Sequence, residues 1–229
     1  QGPLVVVHGG GREIDAELAR RGVAKRSVDG LRITDARTLD AVVAVLAGTI
    51  NTRLVAHLVG LGLKAVGLTG VDAALARSTR VAAHVTAAGE QVDLELVGEP
   101  DATADANVVS HLVAGGYVPV IASLGVSAGD GVLNVNADTL AAHVAAAIGA
   151  RELLLVGGTA GVLDGAGQTI ASLTPAQADA LMQDGTASAG MIAKLRAATT
   201  AHARGVATVT IVDGRTAPSI VERRGTSIR

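Results

Sequence analysis

The sequence predicts an α/β fold, a three-layer αβα sandwich around a mainly parallel open sheet, on three observations. Short β-branched runs alternate with longer alanine- and leucine-rich stretches of helical period, the pattern of parallel strands covered by helices on both faces. The chain is 49% hydrophobic over 229 residues, enough to bury one generous core or two closely joined lobes. It has no Phe, no Trp and a single tyrosine, Tyr117, so the core must be aliphatic, which suits thin helix-on-sheet packing.

In chain order, the apolar run 4–7 reads as a buried strand, followed by Gly9-Gly10-Gly11 and a helix-like stretch over 12–20. Asp35 is an N-cap candidate for a long helix reaching about Leu61, with Leu39, Val42, Val43, Leu46 and Ile50 on one face. A strand follows at 64–68. Residues 78–99 break the rhythm, and the alternation over 92–97 suggests antiparallel strands, a hairpin folded over a site. Strand 118–122, helix 137–148, strand 153–156, helix 175–183 and strand 207–212 complete the series. Thr174 and Pro175 are the N-cap and first position of the last helix. The seam is expected near Ile148-Gly149, dividing the single domain into halves 1–148 and 149–229.

Composition removes several function classes. A net charge of -2 with scattered signs offers no basic stripe for a phosphate backbone, and the near absence of aromatic side chains removes base stacking, so nucleic acid is not an expected partner. No cysteine means no disulfide framework and no thiolate or zinc-thiolate chemistry, which fits the cytoplasm. No apolar run approaches the ~20 residues needed to span a bilayer, and no basic region precedes an apolar one at the N-terminus, so neither membrane nor export is expected.

Four clusters carry chemistry. Gly9-Gly10-Gly11, between a strand and a helix, reads as an anion cradle: glycine lets the main chain approach a ligand, and the helix start offers unpaired N–H groups and a positive dipole end. A tight turn is the plainer account of the same residues. Arg32, in Asp29-Gly30-Leu31-Arg32-Ile33-Thr34-Asp35, places a guanidinium where its planar fork can clamp a carboxylate, or it is a solvated arginine at a helix start. Asn134-Val135-Asn136-Ala137-Asp138 leads into a helix; its asparagines are caps or, at period two with an aspartate, something more. Asp184-Gly185-Thr186-Ala187-Ser188-Ala189-Gly190-Met191 delivers a single lysine, Lys194, a compact cation suited to charge on a transferring phosphoryl group. The loop Val156-Gly157-Gly158-Thr159-Ala160-Gly161-Val162-Leu163-Asp164 is rich enough in glycine to take a second, phosphate-bearing ligand.

Taken in order, His8-Gly9-Gly10-Gly11, the segment 29–35, Ala65-Val66-Gly67-Leu68-Thr69-Gly70, the segment 134–138, Gly161-Val162-Leu163-Asp164, Gly190-Met191-Ile192 with Lys194, and Asp213-Gly214-Arg215 resemble the amino acid kinase family, and within it the acetylglutamate kinases. The resemblance covers nearly the whole chain. It implies the amino acid kinase fold, with the acidic substrate in the first half and the nucleotide in the second, and ATP-dependent phosphorylation of the side-chain carboxylate of N-acetyl-L-glutamate in arginine biosynthesis. By it, Gly10 and Gly11 present N–H groups to the moving phosphoryl, Arg32 holds the α-carboxylate, Asn134 binds the acetamido end, and Asn136 is a further substrate-binding residue. Lys194 offsets charge on the transferring oxygens and Asp138 holds that lysine in place. Gly158, Thr159, Ala160, Gly161, Val162 and Leu163, with Ala187, Ser188, Ala189, Gly190 and Met191, are the nucleotide contacts. Mg2+ arrives on the ATP phosphates and needs no protein carboxylate cage. The substrate carboxylate is already ionised, so the transfer needs no general base.

The resemblance also implies a homodimer formed through a helix and strand of the first half. The family's opening strand, with its Lys-x-Gly-Gly, is not among these residues, and truncation ahead of Gln1 is the expectation. Arginine feedback, tied in the family to an extra N-terminal helix, is not expected. Gly157-Gly158 stands where Thr or Ser followed by Asp is usual, so nucleotide affinity is expected to differ. Gly98-Glu99-Pro100-Asp101-Ala102-Thr103 departs from a usual Val-Asn continuation, with Pro100 expected to end a strand early. Two alternatives stay open. One is a kinase for a carrier-linked aminoadipate or glutamate, met by the basic group Arg20, Arg21, Lys25 and Arg26. The other is a non-catalytic small-molecule sensor of the same fold.

Overall fold

The computed structural model describes residues 2–86, 89–102, 105–183 and 187–229. The chain divides into two compact units, Gln1–Leu140 and Ala141–Arg229.

The first unit is built on a parallel sheet in the order Val6–His8, Val118–Ala122, Ala65–Thr69. The central strand is buried at every residue from Pro119 to Ala122, as a strand covered on both faces must be. Helices Asn51–Gly60 and Asn107–Ala114 pack against it. His8 and Thr69 both stand opposite Ala122, so the carboxyl ends of the three strands are level. The Gly9-Gly10-Gly11 turn therefore leaves the sheet at its carboxyl edge, where open α/β sheets bind ligands. The core beneath gathers Ile14, Leu18, Val42, Leu46, Ala122 and Leu124.

A second, mixed sheet in this unit runs Leu124–Ser127, Gly131–Val135, Val97–Pro100, Ser78–Arg80. Val97–Pro100 stops at Pro100, in line with the expected early end. A ribbon of Ser27–Val28 and Leu31–Arg32 turns at Asp29-Gly30, both with positive φ, the geometry that keeps a two-residue hairpin in step with strand twist. His84–Val85 pairs with Gln91–Val92 as the expected hairpin. The alternation over 92–97 is not one strand, however. Glu95 has φ of 62°, its N–H bonds to Asp93 Oδ1 at 2.7 Å, and Leu94 is 1% exposed. Main-chain bonds from Thr34 to Leu94 and from Leu96 to Thr34 tie this stretch to residue 34 instead. A buried leucine inside a chain reversal had imitated a ladder.

The long helix begins as the sequence indicates, with Asp35 accepting from the Thr38 N–H at 2.8 Å. It is continuous over Ala36–Gly60, 25 residues, but its middle, Ala44–Ile50, is π-helical. This corrects the expectation of no long apolar segment: among the described residues this one helix has the length and composition to span a bilayer. Its charged Arg37, Asp40 and Arg53 had broken the run when read as a string. In the fold, Val42, Val45 and Leu46 are core residues.

In the second unit, Glu152–Gly157 and Thr208–Asp213 are parallel, Gly225–Ile228 is antiparallel to the latter, and Ser172–Leu173 closes the sheet. Leu155, Leu195, Ala198, Val209, Ile211 and Ile228 are at the centre of its core. Helix Ala189–Ala203 packs on the sheet and against helix Pro175–Gln183. The start of the latter is held by a reciprocal capping pair: the Thr174 N–H donates to Gln177 Oε1 at 2.8 Å, and the Gln177 N–H to Thr174 Oγ1 at 3.2 Å. Asp184, Gly185 and Thr186 of the lysine-bearing segment lie outside the described residues, as does Gln1.

Candidate active site

In the first unit the glycine turn opens a helix, Gly11–Arg20, that has no side-chain cap, so its first-turn N–H groups face outward unclaimed by a side chain. Space requires glycine at residue 10. A Cβ on Gly10 would overlap Ile50 Cδ1 and come within 3.0 Å of Leu46 Cδ2, both from the π-helical stretch.

The structure brings Arg32 to this turn. Its Nη2 donates to Asp15 Oδ1 at 2.5 Å and more weakly to the Gly11 carbonyl at 3.4 Å. The side chain is only 13% exposed, and its Nη1 is buried without a hydrogen-bond partner among the described residues. A buried guanidinium nitrogen left open beside a row of main-chain donors is a place for an anion. Asp15 also accepts from Lys25 Nζ at 2.7 Å. Partial desolvation pulls its pKa upward, but the bonds from Lys25 and Arg32 outweigh it and hold the carboxyl below the ordinary aspartate value.

Asn134 joins the same region by donating Nδ2–H to Thr34 Oγ1 at 3.1 Å, two residues from Arg32. Asn136 is a helix cap, the plainer of its two readings, with Oδ1 accepting from the N–H groups of Asp138 and Thr139 at 2.9 and 3.1 Å. The helix it caps starts against the turn, since a Cβ on Gly9 would stand 3.1 Å from Ala137 Cβ. Gly10, Gly11, Arg32, Asn134, Asn136 and Asp138 thus form one neighbourhood.

In the second unit, Thr159, Gly161, Val162, Leu163, Ala187, Ser188 and Met191 line one cavity of about 200 Å³, joined by Leu181. Gly158 and Ala160 flank it on the same loop, and Ala189 and Gly190 open the helix that carries Lys194. Gly161 has φ of 120°, and a Cβ there would crowd Thr226. Thr226 pins the loop by accepting the Val162 N–H at 2.8 Å and donating to the Ile170 carbonyl at 2.6 Å. The stem of Lys194 lies across Gly157, its Cε 3.2 Å from where a Cβ on that glycine would be. Gly157 and Asp213 stand opposite each other at the carboxyl ends of their strands. Arg215 holds Asp213 through two nitrogens, Nε to Oδ1 at 2.9 Å and Nη2 to Oδ2 at 2.7 Å, bringing the carboxyl down to about 2.

A family model for the amino acid kinase family matches residues 1–213. The chain belongs to the amino acid kinase family. It is 45% identical over 216 residues to a protein named acetylglutamate kinase from Acidiphilium cryptum (strain JF-5), covering 92% of this chain and 72% of that one. It is 42% identical over 213 residues to a protein of the same name from Azoarcus sp. (strain BH72), covering 92% and 71%. Among solved structures it superposes on a Streptococcus mutans UA159 protein with a TM-score of 0.83 at 28% identity, covering 99% of this chain and 85% of the other. The amino acid kinase fold expected from the sequence is therefore the fold of this chain.

Three features of this amino acid kinase were not found by reading the sequence. Leu181 lines the cavity from a helix whose weak amphipathicity gave no hint of it. Asp15, on the first helix, has the look of a solvated surface residue until Arg32 folds against it. Asn51 sits in a helix read as apolar. The basic group offered for a carrier protein is committed elsewhere: Arg20 and Arg21 hold Glu17, Lys25 holds Asp15, and Arg26 holds Glu95.

Proposed function

We propose that this chain transfers the γ-phosphoryl group of ATP to the side-chain carboxylate of N-acetyl-L-glutamate, making an acyl phosphate for arginine biosynthesis in the cytoplasm. The observation that carries this reading is the buried, unpartnered Nη1 of Arg32 beside the glycine turn, in a chain 45% identical to a protein named acetylglutamate kinase. In this reading Arg32 binds the α-carboxylate, Asn134 the acetamido group, and the N–H groups of Gly10 and Gly11 the phosphoryl in transit. Asn136 contributes by setting the helix start that carries Asp138.

ATP enters with Mg2+ on its phosphates, as substrate, and its base takes the cavity around Val162, Leu163, Leu181 and Met191. Apolar walls with a few hydroxyls suit a flat heterocycle. Lys194 then stabilises charge on the transferring oxygens, oriented by Asp138. The reaction rests on positioning and charge compensation.

The chain acts as a homodimer in this reading. Ala65–Thr69 is an edge strand, and the helix beside it presents an open groove lined by Ala47, Asn51, Thr52, Val55, Ala56, Val59 and Gly67. The test of function is direct: incubation with MgATP and N-acetylglutamate in the presence of hydroxylamine should accumulate the hydroxamate. Binding of the acid without hydroxamate would make the protein a sensor, and hydroxamate formed only from a carrier-linked acid would replace the substrate.

A further inference from the structure

The histidine ahead of the glycine turn and an asparagine inside the long helix form a linkage that the reaction as described leaves unused. Asn51 is 5% exposed at the end of the π-helical stretch. Its Nδ2 is 3.1 Å from the Leu68 carbonyl, 2.9 Å from the Val120 carbonyl and 3.1 Å from His8 Nε2. Its Oδ1 lies over Gly67, where a Cβ would overlap it.

These contacts fix a proton. Carbonyl oxygens only accept, so the two of them hold the amide nitrogen, not the amide oxygen, toward the sheet. The amide nitrogen has two hydrogens for three neighbours, so one is shared, and because it can only donate, a hydrogen on His8 Nε2 would face another donor; the contact is favourable with Nε2 bare. In the neutral ring the hydrogen then sits on Nδ1, which is 3.2 Å from the Gly9 carbonyl and donates to it. Burial lowers the His8 pKa and so favours the neutral ring that this arrangement requires. The Gly9–Gly10 peptide is planar and trans, so its C=O and N–H point in opposite directions. Whatever holds the Gly9 carbonyl also sets the direction of the Gly10 N–H, and that N–H has no acceptor among the hydrogen bonds of the described residues.

We propose that His8 and Asn51 are positioning residues for phosphoryl transfer: Asn51 locks the imidazole, and the imidazole, by holding the Gly9 carbonyl, aims the Gly10 N–H at the migrating group. The proposal rests on the kinase reading given above. It differs from a role in folding because it names one ring nitrogen as essential and the other as support.

Two variants of the full chain separate the nitrogens. In His8→Asn the side-chain amide can occupy the Nδ1 position and still donate to Gly9. In His8→Gln the amide oxygen can take the Nε2 position and accept from Asn51, but nothing donates to Gly9. With MgATP, N-acetylglutamate and hydroxylamine trapping, His8→Asn is expected within about threefold of the parent kcat, while His8→Gln falls about 30-fold with KM for the acid within about twofold. Equal kcat in both variants, or parallel losses in kcat and KM, would overturn it. Nitrogen-15 NMR of the parent imidazole is the independent readout. A hydrogen on Nδ1 with Nε2 bare is the expected state, and a hydrogen on Nε2 overturns the proposal. If the parent forms no hydroxamate, the kinase reading fails, while the NMR result still decides the state of the lock.

Discussion

Arg32 shows how a single side chain is prepared for a ligand. Asp15 takes one terminal nitrogen and leaves the other buried and open, so the guanidinium is oriented before any substrate arrives. Removing it in Arg32→Ala takes away a charge-assisted pair worth ~1.5–3 kcal/mol, so KM for N-acetylglutamate should rise by about 10- to 100-fold with kcat changed far less. An unchanged KM would take Arg32 out of the carboxylate site. The Asp213–Arg215 fork gives a second check, on stability. Arg215 lowers Asp213 from its ordinary 3.8 to about 2, so the unfolded chain binds the proton more tightly than the folded one. That contribution is complete above the ordinary value and is lost as pH falls through the interval between the two. Thermal melts across this interval should show the parent losing Tm more steeply than Arg215→Met, and equal slopes would contradict the pairing. Residues of this kind were partly legible in the sequence. Arg32 and the glycines stood out because their chemistry is local. Asp15 and His8 acquire meaning only through partners that the fold supplies, in the case of His8 from 43 residues away.

At the scale of elements, the long helix governs the glycine turn by filling the space that a side chain at residue 10 would need. Gly10→Ala must push Ile50 and Leu46 out of the core and should cost ~1–3 kcal/mol. Gly11→Ala, one residue on, meets nothing within 4 Å and should change stability by under about 1 kcal/mol. A reversal of that order, measured by denaturant unfolding, would refute the packing described. The five strands expected at 4–7, 64–68, 118–122, 153–156 and 207–212 and most helices were readable because hydrophobic period and caps are local signals, as with Asp35 and the Thr174–Gln177 pair. The π-helical stretch was not: an apolar run of Ala, Val, Leu and Ile has the same composition whether the turn is 3.6 residues or wider. The strand expected over 92–97 failed for a related reason. Alternation marks which residues are buried, not what their main chain bonds to, and Thr34 took those bonds.

At the scale of the molecule, the proposed reaction draws on both units: main-chain donors and the Arg32 guanidinium are in Gln1–Leu140, and the glycine-rich cavity and Lys194 are in Ala141–Arg229. The proposed dimer belongs to this scale. Val59 is 53% exposed and Leu61 65%, at the end of the helix beside the edge strand. Val59→Glu should convert a dimer to a monomer in sedimentation velocity with circular dichroism unchanged, and a parent that sediments as a monomer would remove the dimer from the account. The central proposal is that the Gly10 and Gly11 amides and the Lys194 ammonium act on one migrating phosphoryl group. A crystal structure with N-acetylglutamate, MgADP and aluminium fluoride tests it most directly. The account predicts the Gly10 and Gly11 nitrogens and Lys194 Nζ all within hydrogen-bond distance of the same fluoride-bearing centre, with the acid's α-carboxylate on Arg32 Nη1. An aluminium fluoride centre bound by only one of these two groups, with the other turned away, would contradict it.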